Sequence, residues 1–139
     1  MFTYLTMNFW FLFTVIFVSS LMLCTEAKIQ ELDPHSLSLL KSASKSTHAT
    51  YLILFYAPWC GACQHFKPVY KEAAKVLPKE FSGLHFSEID ADKYKTNLTE
   101  YHIKSYPTLI VLSEGSFAKF SSSQAIKNFD KLVKIAKGE

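Results

Sequence analysis

The feature that most constrains this chain is Tyr51 to Tyr56, YLILFY, a run of aliphatic and aromatic residues with no polar position in it. A strand with one wet face alternates apolar and polar side chains. An unbroken run therefore belongs to a strand covered on both faces, in the middle of a parallel or mixed sheet. Ala57-Pro58-Trp59 ends it, and Phe66, Val69, Tyr70, Ala73, Ala74 and Leu77 then recur at helical spacing, with Pro68 predicting a kink.

The remaining segments fit around that pair. Lys28 to Leu32 is short and extended, and Asp33-Pro34 supplies an N-cap and a first helical residue for a helix to about Ser44. Leu84 to Ala91 reads as a strand, with Leu84, Phe86, Glu88 and Asp90 alternating against His85, Ser87, Ile89 and Ala91. A short polar helix is expected around Thr96 to Tyr101, then Tyr106-Pro107, a strand at Thr108 to Leu112, a turn at Glu114-Gly115 and a strand at Phe117 to Phe120. Ser121 to Ser123 can cap a last helix with the apolar stripe Ala125, Ile126, Phe129, Leu132, Val133 and Ala136. The order β-α-β-α-β-α-β-β-α predicts an α/β fold with helices on both sides of one mixed sheet.

Composition narrows the function classes. A length of 139 residues suits one domain, and 49% apolar with 19% charged residues excludes a disordered chain, a collagen-like chain and a coiled-coil rod. Residues 1–27 hold no Lys or Arg and a single acid, Glu26, so the 112 that follow carry all 15 lysines, 11 of the 12 acids and a net charge near +4. Those lysines are dispersed singly rather than gathered in a stripe, which excludes a nucleic-acid binder.

Phe9 to Leu23 is apolar except for Thr14, Ser19 and Ser20, and Thr25 and Ala27 offer small residues for cleavage, so residues 1–27 are expected to be a secretory signal peptide and 28–139 the folded domain. The segment lacks a cationic start, and Phe2 to Leu23 nearly spans a bilayer, which leaves an uncleaved signal anchor and a membrane-tethered domain as an alternative; a buried core helix is a weaker one. Asn97-Leu98-Thr99 is a glycosylation acceptor sequence that the same compartment could use. The chain ends Ala-Lys-Gly-Glu rather than in a Lys-Asp-Glu-Leu-type signal, so the endoplasmic reticulum lumen, secretion or retention by a partner are all compatible, as is truncation of a longer protein.

Cys24 lies in the cleavable segment, which leaves Cys60 and Cys63 to the mature chain. A disulfide closing so short a loop is a poor staple, so the spacing points to chemistry. A C-x-x-C that opens a helix after a buried strand sets its first cysteine against unpaired backbone N–H groups and the positive end of the helix dipole, which stabilise a thiolate. Cys60 is the candidate nucleophile. Cys63, one turn further in, is the candidate resolving thiol, able to attack a mixed disulfide and release the partner. An inert pair is the plain alternative. Zinc would need two more ligands, and His35, His48, His65, His85 and His102 show no paired ligand spacing, so no metal is expected. His65 should point away from the pair as a surface residue. Tyr56 suits the core and Trp59 an exposed substrate-facing rim.

FYAPWCGAC at Phe55 to Cys63, Pro68, IDAD at Ile89 to Asp92 and SYPT at Ser105 to Thr108 resemble a thioredoxin-fold domain, most closely the catalytic domain of the protein disulfide isomerase family, over essentially all of residues 28–137. The resemblance implies that Cys60 and Cys63 form the redox disulfide, that Trp59, Gly61 and Ala62 shape its loop, and that Pro107 is a cis-proline whose neighbour Tyr106 binds an extended substrate through its backbone. Three departures bear on activity. Ala62 stands where isomerase relatives often have His, so a less oxidising couple is expected. Leu54 replaces a buried acid that moves protons for the inner cysteine, and Glu88, on the neighbouring strand where relatives often place a lysine, is the candidate replacement: a buried carboxyl with a raised pKa exchanging a proton with Cys63. Arg is absent from the chain, so the mobile arginine of many isomerase domains is missing.

The expected function is thiol–disulfide exchange with cysteine-containing proteins or peptides of the secretory pathway, recycled by a redox partner such as glutathione or an oxidase, without a cofactor. The alternative is a weakly catalytic client-binding module of the same fold. Oxidase, reductase and isomerase share this pair and differ in potential and partners.

Overall fold

The computed structural model describes residues 28–120 and 127–129. The signal peptide or anchor expected at residues 1–27 and all but residues 127–129 of the expected last helix lie outside the described residues. The elements are β1 (Gln30–Leu32), α1 (Pro34–Thr47), β2 (Thr50–Tyr56), α2 (Gly61–Glu80), β3 (Leu84–Asp90), β4 (Thr108–Ser113) and β5 (Ser116–Phe120), with two 3-10 turns, Lys95–Asn97 and Thr99–Tyr101, before β4.

β2 is the middle strand of the order β1-β3-β2-β4-β5, parallel to β3 and antiparallel to β4. Its apolar run serves two cores at once. Ile53 and Phe55 pack with Leu37 of α1, whereas Leu52 and Leu54 pack with Phe66, Tyr70 and Leu77 of α2. All four strand residues are buried, which at roughly 1.5–3 kcal/mol for each side chain makes this strand a main contributor to stability. β3 divides in the same way: Phe86 joins the α2 side and Ile89 the α1 side. Glu88, in alternation with Phe86, is thereby directed to the α2 face. Residues 127–129 are helical, and the Phe129 ring packs at a tilt against Phe66 and Tyr70, with ring centroids 5.7 and 6.3 Å away, on the same face.

Asp33 caps α1 as expected, its Oδ1 accepting from the Ser36 N–H at 2.7 Å. The helix runs a turn beyond Ser44 to Thr47 because Ser44 anchors it rather than ending it: the buried hydroxyl donates to the Lys41 carbonyl and accepts the Gly115 N–H at 2.9 Å. His48 then takes a left-handed conformation, φ 51°, and closes the helix. α2 continues through Pro68 and Pro78, each of which removes one backbone hydrogen bond from the ladder.

The polar helix expected at Thr96 to Tyr101 is corrected to two 3-10 turns that share Leu98 as a boundary. Six residues rich in Thr and Asn are too few to repay helix nucleation, and their side chains compete for backbone partners. Burial of Leu98 and Tyr101 holds the segment to the α1-side core instead.

Candidate active site

β2 delivers the chain to the edge of the sheet, and the Cys60 N–H closes a turn on the Ala57 carbonyl at 3.1 Å. Cys60 is the N-cap of α2: its Sγ accepts from the Cys63 N–H at 3.2 Å, taking one of the donors that a helix start leaves unpaired. The Cys63 thiol points back at it, with the sulfurs 2.7 Å apart and both thiols free. Cys60 is 8% exposed and Cys63 only 1%. Burial, followed by the hydrogen bond to Cys60, pushes the Cys63 thiol up to about 12, against a smaller opposing pull from the Ala57 backbone and the Lys67 charge.

Around the sulfurs stand the residues that the sequence singled out. The Tyr106–Pro107 peptide is cis, and Tyr106 packs with Tyr56 against Ala57 and the two cysteines. Trp59 is 68% exposed, lies edge-on to the Tyr106 ring at 5.9 Å, and donates its indole N–H to Asp92 at 2.8 Å. Gly61 and Ala62 are exposed at the start of α2, and a side chain at Gly61 would meet open space, so no close approach there requires glycine. His65 is exposed, and Asn97 is exposed at the end of a 3-10 turn. No group of three potential metal ligands occurs among the described residues. No described helix is long and apolar enough to cross a membrane.

With this geometry in view, comparison with known proteins is decisive for the family: residues 36–137 match the Thioredoxin family model. The chain belongs to the thioredoxin family. It is 34% identical over 84 residues to protein disulfide isomerase-like 2-2 of Oryza sativa subsp. japonica, covering 59% of this chain and 22% of that one. To protein disulfide-isomerase 1 of Caenorhabditis elegans it is 31% identical over 87 residues, covering 63% and 18%. The chain thus spans about a fifth of the length of these relatives. The first thioredoxin domain of mouse protein disulfide-isomerase A4 superposes with a TM-score of 0.62 at 24% identity, over 81% of this chain and 76% of that one. A thioredoxin of Nicotiana alata gives 0.60 at 20% identity, over 76% and 90%. Likeness at that identity speaks for the fold.

In this member of the thioredoxin family Glu88, the candidate proton carrier, forms an ion pair with Lys67, whose charge acts on Cys63. Glu88 is in register with Leu54 across the β2–β3 ladder, but it is not sealed in the core. Its side chain is 20% exposed and lies 3.2 Å from the Lys67 ammonium, itself 28% exposed. Lys67 sits one turn beyond Cys63 on α2 and 3.5 Å from the centroid of the Tyr56 ring, so a cation–π contact and an ion pair both hold it. Sequence reasoning missed Lys67. Its i+4 spacing from Cys63 was the available signal, but a lysine on an amphipathic helix reads as solvated until the facing acid and ring are located.

Proposed function

We propose that the chain is a thiol–disulfide oxidoreductase of the protein disulfide isomerase type, acting on cysteine-containing proteins or peptides in the secretory pathway. The observation that carries this reading is the pair of free thiols 2.7 Å apart at the start of α2, both buried, with Cys60 the more accessible at 8% against 1%. In the reductive direction the Cys60 thiolate attacks one sulfur of a client disulfide, an S–S bond forms between Cys60 and the client, and the other client sulfur leaves as a thiolate. Cys63, after losing its proton, attacks the Cys60 sulfur and expels the second client thiolate. The client gains two electrons and Cys60–Cys63 becomes a disulfide; the reverse sequence oxidises a client dithiol.

The burial that raises the Cys63 thiol to about 12 makes its proton the obstacle at neutral pH. Glu88 is the proton acceptor in this proposal, with Lys67 holding its carboxylate and favouring the Cys63 thiolate. Tyr106 and Pro107 line the client's approach, where main-chain pairing tolerates many sequences. Trp59, Gly61 and Ala62 form the redox loop, and the absence of an imidazole at Ala62 makes the couple less oxidising than one with His there.

Incubation with a disulfide-linked peptide tests the reading: wild type converts it, Cys60→Ser does not, and Cys63→Ser accumulates a mixed disulfide. Undiminished conversion by Cys60→Ser would exclude it. The secretory placement rests on residues 1–27 and on Asn97-Leu98-Thr99. N-terminal sequencing of the cell-expressed chain and a glycosidase mobility shift test cleavage after residue 27 and modification of Asn97.

A further inference from the structure

We propose that the cleft beside Cys60 recognises a carboxylate next to the reacting cysteine of its client, so that acid-flanked disulfides are preferred substrates. This rests on the oxidoreductase reading and gives it a substrate class. The cleft has a volume of about 250 Å³ and is lined by Trp59, Cys60, Lys95, Ile103, Lys104, Ser105 and Tyr106. That is smaller than the roughly 300–1,000 Å³ of a pocket for a whole small molecule, and it suits one or two residues of a chain passing over Cys60.

The charged residues of the lining are both lysines, Lys95 from the first 3-10 turn and Lys104 from the loop before the cis peptide. Lys41 pairs with Glu100 at 2.7 Å, Lys67 with Glu88, and Lys75 with Glu72. Among the described residues Lys95 and Lys104 have no such ion pair. Asp92 is outside that lining, where its carboxylate accepts the Trp59 indole N–H at 2.8 Å. Trp59 and Tyr106, edge to face, give the cleft aromatic surface, and Lys95 and Lys104 give its lining the positive charge that would set specificity. A carboxylate one residue from the client cysteine would meet them once its sulfur reaches Cys60. An acidic protein segment and a small acidic thiol such as glutathione offer the same chemistry.

The test follows mixed-disulfide formation by Cys63→Ser with end-capped peptides, each holding one activated disulfide flanked by Glu, Gln or Lys, and with glutathione disulfide. Rates are divided by those of a neutral small thiol with the same compounds, which removes their intrinsic reactivity. The Glu peptide is expected to exceed the Lys peptide by about tenfold at low salt, with the ratio shrinking several-fold at high salt. In Lys95→Gln/Lys104→Gln the ratio falls towards one, whereas Lys71→Gln/Lys79→Gln, which removes the same charge elsewhere on the surface, keeps it. A ranking confined to glutathione disulfide assigns the cleft to the small thiol, and one shared by the peptides assigns it to protein clients. Equal normalised rates, or a ratio that survives the Lys95/Lys104 change, overturns the proposal while leaving the oxidoreductase reading intact. Absence of any mixed disulfide overturns both.

Discussion

Cys60 and Cys63 are one helical turn apart and differ in access, 8% against 1% exposed. Cys60 lies at the edge of a cleft with two cationic side chains and an exposed indole, its sulfur already accepting a backbone N–H. Cys63 lies at 1% exposure within reach of the Lys67 charge, and Lys67 in turn pairs with Glu88. The helix start makes that difference, since the N-cap faces out of the fold while the third helical residue faces in. In the proposed exchange two identical thiols thereby take different work: one must be reached, and the other must be withheld from everything except its neighbour.

The strongest way to break this division is to remove each thiol in turn. Cys60→Ser should lower disulfide exchange by more than about a thousandfold, as loss of a nucleophile does, whereas Cys63→Ser should still react once and stop as the mixed disulfide. Equal effects of the two substitutions in a single-turnover assay would erase the distinction.

Buried tyrosines such as Tyr70 and Tyr101 also resist ionisation at alkaline pH, so the difference in stability from Cys63→Ala is what isolates Cys63. Its folded-state value is raised to about 12 by burial, so the reduced protein keeps this thiol neutral while the unfolded chain ionises it from about pH 8.5–9 upward. The resulting stability is fully present below that range and is lost as pH rises towards 12. Melting curves of reduced wild type should therefore fall towards those of Cys63→Ala between pH 9 and 12; parallel curves would contradict the assignment.

The charge pair gives a smaller effect. Glu88→Gln should slow the resolving step by about tenfold, less than the ~10²-fold of a sealed acid–base group, because a side chain one-fifth exposed lets water substitute. Lys67→Met removes a charge that favours the Cys63 thiolate and should move the alkaline limb of that step to higher pH, leaving the first attack by Cys60 unchanged. Stopped-flow traces across pH separate the two steps, and an unaltered profile in both variants would detach the pair from catalysis. The smallest effect is expected at Trp59→Phe, where an exposed bond to Asp92 is lost: about 0.5–1 kcal/mol in denaturant unfolding, with a cost beyond about 2 kcal/mol giving Trp59 a structural role.

How much of this the sequence made legible follows from how local each determinant is. YLILFY announced a central strand because covering both faces leaves a pattern within the run itself, and Cys60 and Cys63 announced a redox pair because their spacing is contained in one turn of helix. The helix end at Thr47 was misplaced because Ser44 meets Gly115, which lies 71 residues further along the chain. The Thr96 to Tyr101 segment was misread because polar periodicity cannot separate an α-helix from tight turns pinned by Leu98 and Tyr101. Glu88 was found through the strand that carries it, but its partner Lys67 depends on α2 crossing β3, a contact between elements. Lys95 and Lys104 escaped for the same reason, since only the fold brings them to the cleft beside Cys60.

The central claim is that Cys60 and Cys63 work as one couple, and the most direct test is equilibration of the purified domain with glutathione buffers followed by trapping and counting of free thiols. The account predicts that both thiols vanish together in a single two-electron transition, with a potential in the span from about −180 to −270 mV that covers isomerase and thioredoxin couples. Independent titration of the two thiols, or failure to equilibrate at any poise, would contradict it.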